Sequence, residues 1–104
     1  MPELNIGSNA GHSCATSITE RVAEVTRSSP YSQVVNGRFK GGYITRHYGD
    51  PGRKVHTMQL EIAQRVYLNE ATTVFDARKA SHLRGTLQPM LEAFLESAES
   101  LENV

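Results

Sequence analysis

At 104 residues the chain has room for one domain with a modest core. Lys+Arg and Asp+Glu balance at 11 each, so no overall charge draws the chain toward nucleic acid or a membrane surface. A single cysteine, Cys14, excludes an internal disulfide, and no run is apolar enough to span a bilayer or to act as a signal peptide. A cytoplasmic protein is the expectation.

Residues 1–12 hold one short apolar alternation, Leu4 and Ile6, followed by Gly7, Ser8, Asn9 and Gly11. That pattern predicts the end of a strand running into a turn. So short a strand pairs well only within a larger sheet. Residues 13–28 predict a helix. Ser13 or Ser17 is placed to cap it, and Ser17 has Glu20 three residues on, the capping-box spacing. Ile18, Val22 and Val25 form its apolar stripe, and Ser28-Ser29-Pro30 ends it.

Tyr31–Asn36 predicts a strand with Val34 and Val35 inside. Gly37 and Gly41-Gly42 then bracket Arg38-Phe39-Lys40. Tyr43–Tyr48, rich in aromatic and β-branched residues, predicts another strand or an extended segment. Asp50-Pro51-Gly52 is a turn. Val55–Val66 gives the strongest strand pattern, with Met58, Leu60 and Ile62 on one face and Thr57, Gln59, Glu61 and Ala63 on the other. A helical reading of Leu60–Tyr67 stays open, because so few residues do not fix a period.

From Asp76 to Glu102 the pattern is helical, with a stripe of Leu83, Leu87, Leu91, Phe94, Leu95 and Ala98. Gly85-Thr86 and Pro89 leave two readings: a second helix capped by Thr86, or one kinked helix. The order β-α-β-β-β-α predicts an α/β fold, a partial mixed sheet with flanking helices, over a single domain spanning 1–104.

The chemistry concentrates in Asn36–Glu70. Residues 36–56 carry Arg38, Lys40, Arg46, Arg53 and Lys54 against Asp50 alone. Arg38 and Arg46 are candidate anion holders, since a guanidinium meets a carboxylate in two parallel hydrogen bonds. The competing reading is an ordinary basic loop, or arginines spent on Asp50 or Glu70. Glu61 sits between Leu60 and Ile62; apolar surroundings favour the protonated carboxyl, the state a proton donor needs. A glutamate on a solvated strand face is the commoner case.

His47 and His56 lack metal-spaced partners, so no metal ligand is assigned. Cys14 at a helix start is read as a small packing residue, although such positions can lower a thiol pKa. The glycines match no phosphate loop. Nucleic-acid binding is not expected either: Phe39, Tyr43 and Tyr48 flank the basic loop, but the domain is not basic overall.

Three longer motifs carry a resemblance. NGRFKGGYITRHYG (Asn36–Gly49), V-H-x-x-Q-L-E (Val55–Glu61) and Y-L-N-E (Tyr67–Glu70) closely resemble the C-terminal part of the N-formylglutamate amidohydrolase, or N-formylglutamate deformylase, family. N-I-G-S-N-A-G-H-S-C (Asn5–Cys14) resembles the family segment before them. The resemblance covers nearly the whole chain and thins in the last helix.

It implies hydrolysis of N-formyl-L-glutamate to formate and L-glutamate, in histidine degradation. It also implies a fold similar to the α/β/α sandwich of zinc-dependent carboxypeptidases and aspartoacylases, with a metal-activated water. By position in Q-L-E, Glu61 would be the general base and later the proton donor. Arg46 of T-R-H-Y-G would clamp a substrate carboxylate, with Arg38 a second candidate. Tyr48 would close over the substrate, and Asn36 joins the binding set.

The family's enzymes are much longer, and their zinc or other divalent metal is held by upstream residues that this sequence does not show. The expectation is therefore a C-terminal fragment, inactive alone, with a hydrophobic sheet edge that favours self-association. Two other readings remain: a small carboxylate-binding or protein-interaction module, and one half of a split enzyme.

Overall fold

The computed structural model describes residues 1–102. Strand β1 (Leu4–Gly7) leads into helix α1 (Thr16–Arg27) and strand β2 (Gln33–Val35). Helix α2 (Tyr43–Tyr48), a 3-10 turn (Pro51–Arg53) and strand β3 (Gln59–Ile62) follow. A second 3-10 turn (Gln64–Val66) precedes a small hairpin of β4 (Leu68–Asn69) and β5 (Val74–Phe75). Helix α3 (Ala77–Glu102) closes the described chain. The main sheet has the order β2-β1-β3, with β1 parallel to β2 and antiparallel to β3. It is the small mixed sheet with flanking helices that the α/β reading expects.

The short N-terminal strand is the centre of this sheet. Leu4 and Ile6 are wholly buried, and their cross-strand partners on β3 are Ile62 and Leu60. Residues directly opposite in an antiparallel pair share a face. Leu4, Ile6, Leu60 and Ile62 therefore form the core face, where Val22 of α1 and Leu83, Met90 and Ala93 of α3 pack. Asn5 and Gly7 face the other way, opposite Glu61 and Gln59. The alternation read in residues 57–62 holds, but the strand is shorter than Val55–Val66. Val55 instead pairs with Asp50 across the turn.

Several local expectations fail for identifiable reasons. Tyr43–Tyr48 is helical rather than extended. The Arg46 N–H donates to Gly42 O at 3.1 Å, and Tyr43 stacks on His47 four residues later, ring centroids 4.9 Å apart. In an extended strand residues four apart are separated by about 13 Å, so this stacking rules out the extended reading. Neither serine caps α1: the N-cap is Ala15, with no side-chain bond, and Ser17 lies inside the helix. The loop is anchored from outside, as the Ala15 N–H donates to His56 Nδ1 at 3.0 Å. The imidazole thus accepts at Nδ1, which places its neutral-state proton on Nε2.

α3 is continuous through Pro89. Proline removes one helical hydrogen bond, but Thr86, Met90 and Ala93 are buried on that stretch, so tertiary packing against α1 holds the turn together. The buried stripe is Ala80, Leu83, Thr86, Met90 and Ala93. Leu91 and Leu95, read as core, are 66% and 60% exposed. The β4–β5 hairpin has no counterpart in the sequence reading. Its turn is set by Asn69, whose Oδ1 accepts from the N–H groups of Ala71 and Thr72. Among the described residues no helix is long and apolar enough to cross a membrane.

Cys14 is wholly buried, as a packing residue should be. Burial pushes its thiol above the ordinary 9.0, and a hydrogen bond with Thr19 offsets only part of that. Tyr31, packed against the core, is also raised above its ordinary 10.0, by burial first and the Glu3 charge second. Both groups hold their proton more tightly folded than unfolded. Their contribution to stability is complete below the unfolded values and is lost as pH rises through the folded ones. The urea midpoint should therefore be lower at about pH 10.5 than at about pH 8. At neutral pH a thiol reagent should label Cys14 only after unfolding; rapid labelling of the native chain would contradict the burial.

Candidate functional site

The site is built on the sheet face turned away from α1 and α3. On it lie Asn5, Gly7, Gln59 and Glu61. The segment after β2 crosses this face closely: a Cβ on Gly7 would sit 2.6 Å from the carbonyl carbon and oxygen of Lys40. Only glycine lets the basic loop lie against the strand. The Asn9 N–H donates to Lys40 O at 2.7 Å and fixes the approach.

Asn36 opens the loop in the left-handed region, with φ 52°. Its Oδ1 accepts from the N–H groups of Ser8 and Ala10, at 2.9 and 3.3 Å, and its Nδ2 donates to Ser8 Oγ at 2.9 Å. The amide thus ties the end of β2 to the turn after β1. It acts as a loop clamp, a role the sequence did not reveal.

Arg46 and Tyr48 stand on α2, and Glu61 on β3. All three are exposed. Apolar neighbours do not surround Glu61: its carboxylate is exposed, while Leu60 and Ile62 belong to the core face, and that expectation is corrected. Among the described residues neither Arg38 nor Arg46 is paired with a carboxylate. Asp50, offered as their partner, lies 3.8 Å from Arg53 instead. The Arg38 guanidinium sits 5.8 Å from the Phe39 ring centroid, within cation–π range. Tyr48 meets His47 edge-on at 4.7 Å.

One connection brings the predicted residues together. Arg46 Nε donates to Gly42 O at 3.3 Å. The Gly42 N–H donates to Gln59 Oε1 at 2.5 Å, and Gln59 Nε2 donates to Glu61 Oε1 at 3.1 Å. Guanidinium, the two peptides flanking the Gly42 α-carbon, amide and carboxylate form one connected line between α2 and β3. Gln59 carried no role in the sequence reading. Its position two residues before Glu61 on a strand was the available signal, since i and i+2 share a face.

The described residues gather no three His, Cys, Asp or Glu side chains that could hold a metal ion. They do not fit a metal on their own, and no step below runs through one.

Residues 1–68 match the family model described as N-formylglutamate amidohydrolase. The N-formylglutamate deformylase of Pseudomonas aeruginosa is 44% identical over 97 residues, covering 91% of this chain and 36% of its own length. The deformylase of Pseudomonas putida is likewise 44% identical, over 98 residues, with the same shares covered. The chain thus spans about a third of the length of these relatives. The crystal structure of N-formylglutamate amidohydrolase from Ralstonia eutropha superposes with a TM-score of 0.76 at 21% identity, over 99% of this chain and 35% of that one. It shares the fold. With the family match extending over most of the sequence, the chain belongs to the N-formylglutamate amidohydrolase family.

Proposed function

We propose that this chain carries the acid-binding and proton-transfer residues of a site that hydrolyses N-formyl-L-glutamate to formate and L-glutamate. The observation that supports this most is the line from Arg46 to Glu61. It links the Arg46 guanidinium to the exposed Glu61 carboxylate through Gly42 and Gln59.

The substrate is a dicarboxylate, and two arginines that hold no carboxylate among the described residues match its charges. Arg46 holds one carboxylate in a forked pair, and Arg38 is the candidate for the other. Tyr48 covers the bound acid from α2, and Asn36 borders it from the loop. Glu61 takes a proton from the attacking water as its oxygen bonds to the formyl carbon. As the carbon–nitrogen bond breaks, Glu61 returns that proton to the departing amine. The zinc-dependent carboxypeptidase-like sandwich would frame this segment in a longer enzyme.

Calorimetric titration with L-glutamate tests the reading. Saturable binding is expected, and Arg46→Ala should weaken it about 10- to 100-fold, the worth of a hydrogen-bonded charge. Formate release from N-formyl-L-glutamate by the chain alone is expected at background. Equal affinity in the wild type and Arg46→Ala would overturn the assignment.

A further inference from the structure

We infer that Gln59 is a positioning residue of this site, one that sets the Glu61 carboxylate and the start of α2 in a single fixed relation. The inference rests on the reading of Glu61 as the proton-transfer group.

The direction of the amide follows from its two neighbours. The Gly42 N–H can only donate, so it requires Gln59 Oε1, 2.5 Å away. That leaves Nε2 facing Glu61 Oε1 at 3.1 Å, and an ionised carboxylate can only accept. A flipped amide would oppose donor to donor and acceptor to acceptor. Glutamine is therefore the fitting residue here. Glutamate would set a second carboxylate beside Glu61, and leucine would leave both neighbours to solvent.

The consequence reaches the arginine as well. Gly42 is the N-cap of α2 and has no side chain of its own to cap the helix. The Gln59 oxygen takes the N–H at that point, and the carbonyl of the same residue accepts from Arg46 Nε. One side chain on β3 thus orients both the group that moves the proton and the helix that carries the acid-binding arginine. A longer-range ion pair between Arg46 and Glu61 would neutralise both. The neutral amide keeps them related without spending either charge.

The two deciding measurements need no ligand, so their failure stays distinct from failure of the acid-binding reading. In the nitrogen-labelled chain, the Gln59 side-chain amide resonances should follow an acid titration, and that dependence should vanish in Glu61→Gln. In Gln59→Leu, exchange of the Gly42 amide proton should accelerate about tenfold, the worth of one hydrogen bond. L-Glutamate affinity should fall in the same variant although Arg46 is intact. Glu61 is exposed, so Glu61→Gln is not expected to unfold the chain. Gln59 resonances that titrate identically in the wild type and Glu61→Gln would overturn the inference. So would unchanged Gly42 exchange in Gln59→Leu.

Discussion

Ile6→Ala is expected to remove about 2–5 kcal/mol of stability, read as a fall in the urea midpoint at unchanged slope. Ile6 is wholly buried on the central strand, between Val35 on one side and Leu60 on the other. Truncation leaves a cavity under α1 and α3 that the surrounding strands cannot close without breaking register. A domain of this kind has about 5–15 kcal/mol in total, so the variant sits near the edge of folding. Leu91→Ala gives the contrast. Leu91 is 66% exposed, and its loss should stay within about 0.5 kcal/mol. A cost for Ile6→Ala near that of Leu91→Ala would mean that β1 is not the centre of the sheet.

The two leucine-stripe positions show where sequence reading stops. Leu4 and Ile6 were legible as a strand from two-residue alternation, yet nothing in four residues says which strands flank them. Pairing is non-local, and the middle position emerges only when β2 and β3 close on it. Leu91 and Leu95 are equally apolar, but their burial depends on which face of α3 meets α1. Tyr43–Tyr48 departs from its strand pattern because aromatic and β-branched composition favours strands only on average, and the segment instead closes helical bonds between Gly42 and Gly49 with Tyr43 stacked on His47. At the site, Arg46 and Glu61 could be singled out by charge, pattern and family resemblance. Their connection could not, because it runs through a backbone peptide and a glutamine that carry no charge signal. Asn36 was singled out too, but its geometry shows an amide committed to the Ser8–Ala10 turn.

Gly49→Ala should be strongly damaging next to the site. The backbone there is ordinary, φ −71°, so the cost is purely one of space. An added Cβ would lie 2.5 Å from Ser13 Cβ, 2.5 Å from Thr57 Oγ1 and 2.7 Å from Ser13 Cα. Three segments converge at this point. The Gly49 N–H ends α2 on Thr45 O, Thr57 Oγ1 donates to the same carbonyl at 2.7 Å, and Ser13 Oγ donates to Thr57 O at 3.0 Å. A methyl group cannot enter without parting them, because the α-carbon of Ser13 belongs to the backbone and cannot swing aside as a flexible side chain would. Overpacking of this kind costs about 1–3 kcal/mol. For a domain of this size that lowers the melting temperature by about 4–8 °C per kcal/mol. Gly52→Ala should be nearly silent by comparison, since its added Cβ meets nothing nearer than Asp50 Oδ1 at 3.5 Å. Ser13→Gly removes one of the three clashing atoms, so the double variant should recover part of the loss, a coupling that separate sites would not show. L-Glutamate affinity should fall with Gly49→Ala as well, because the displaced helix carries Arg46. A variant that melts with the wild type would show that α2 is not wedged between the first loop and β3, and the link from Arg46 to Glu61 would lose its support.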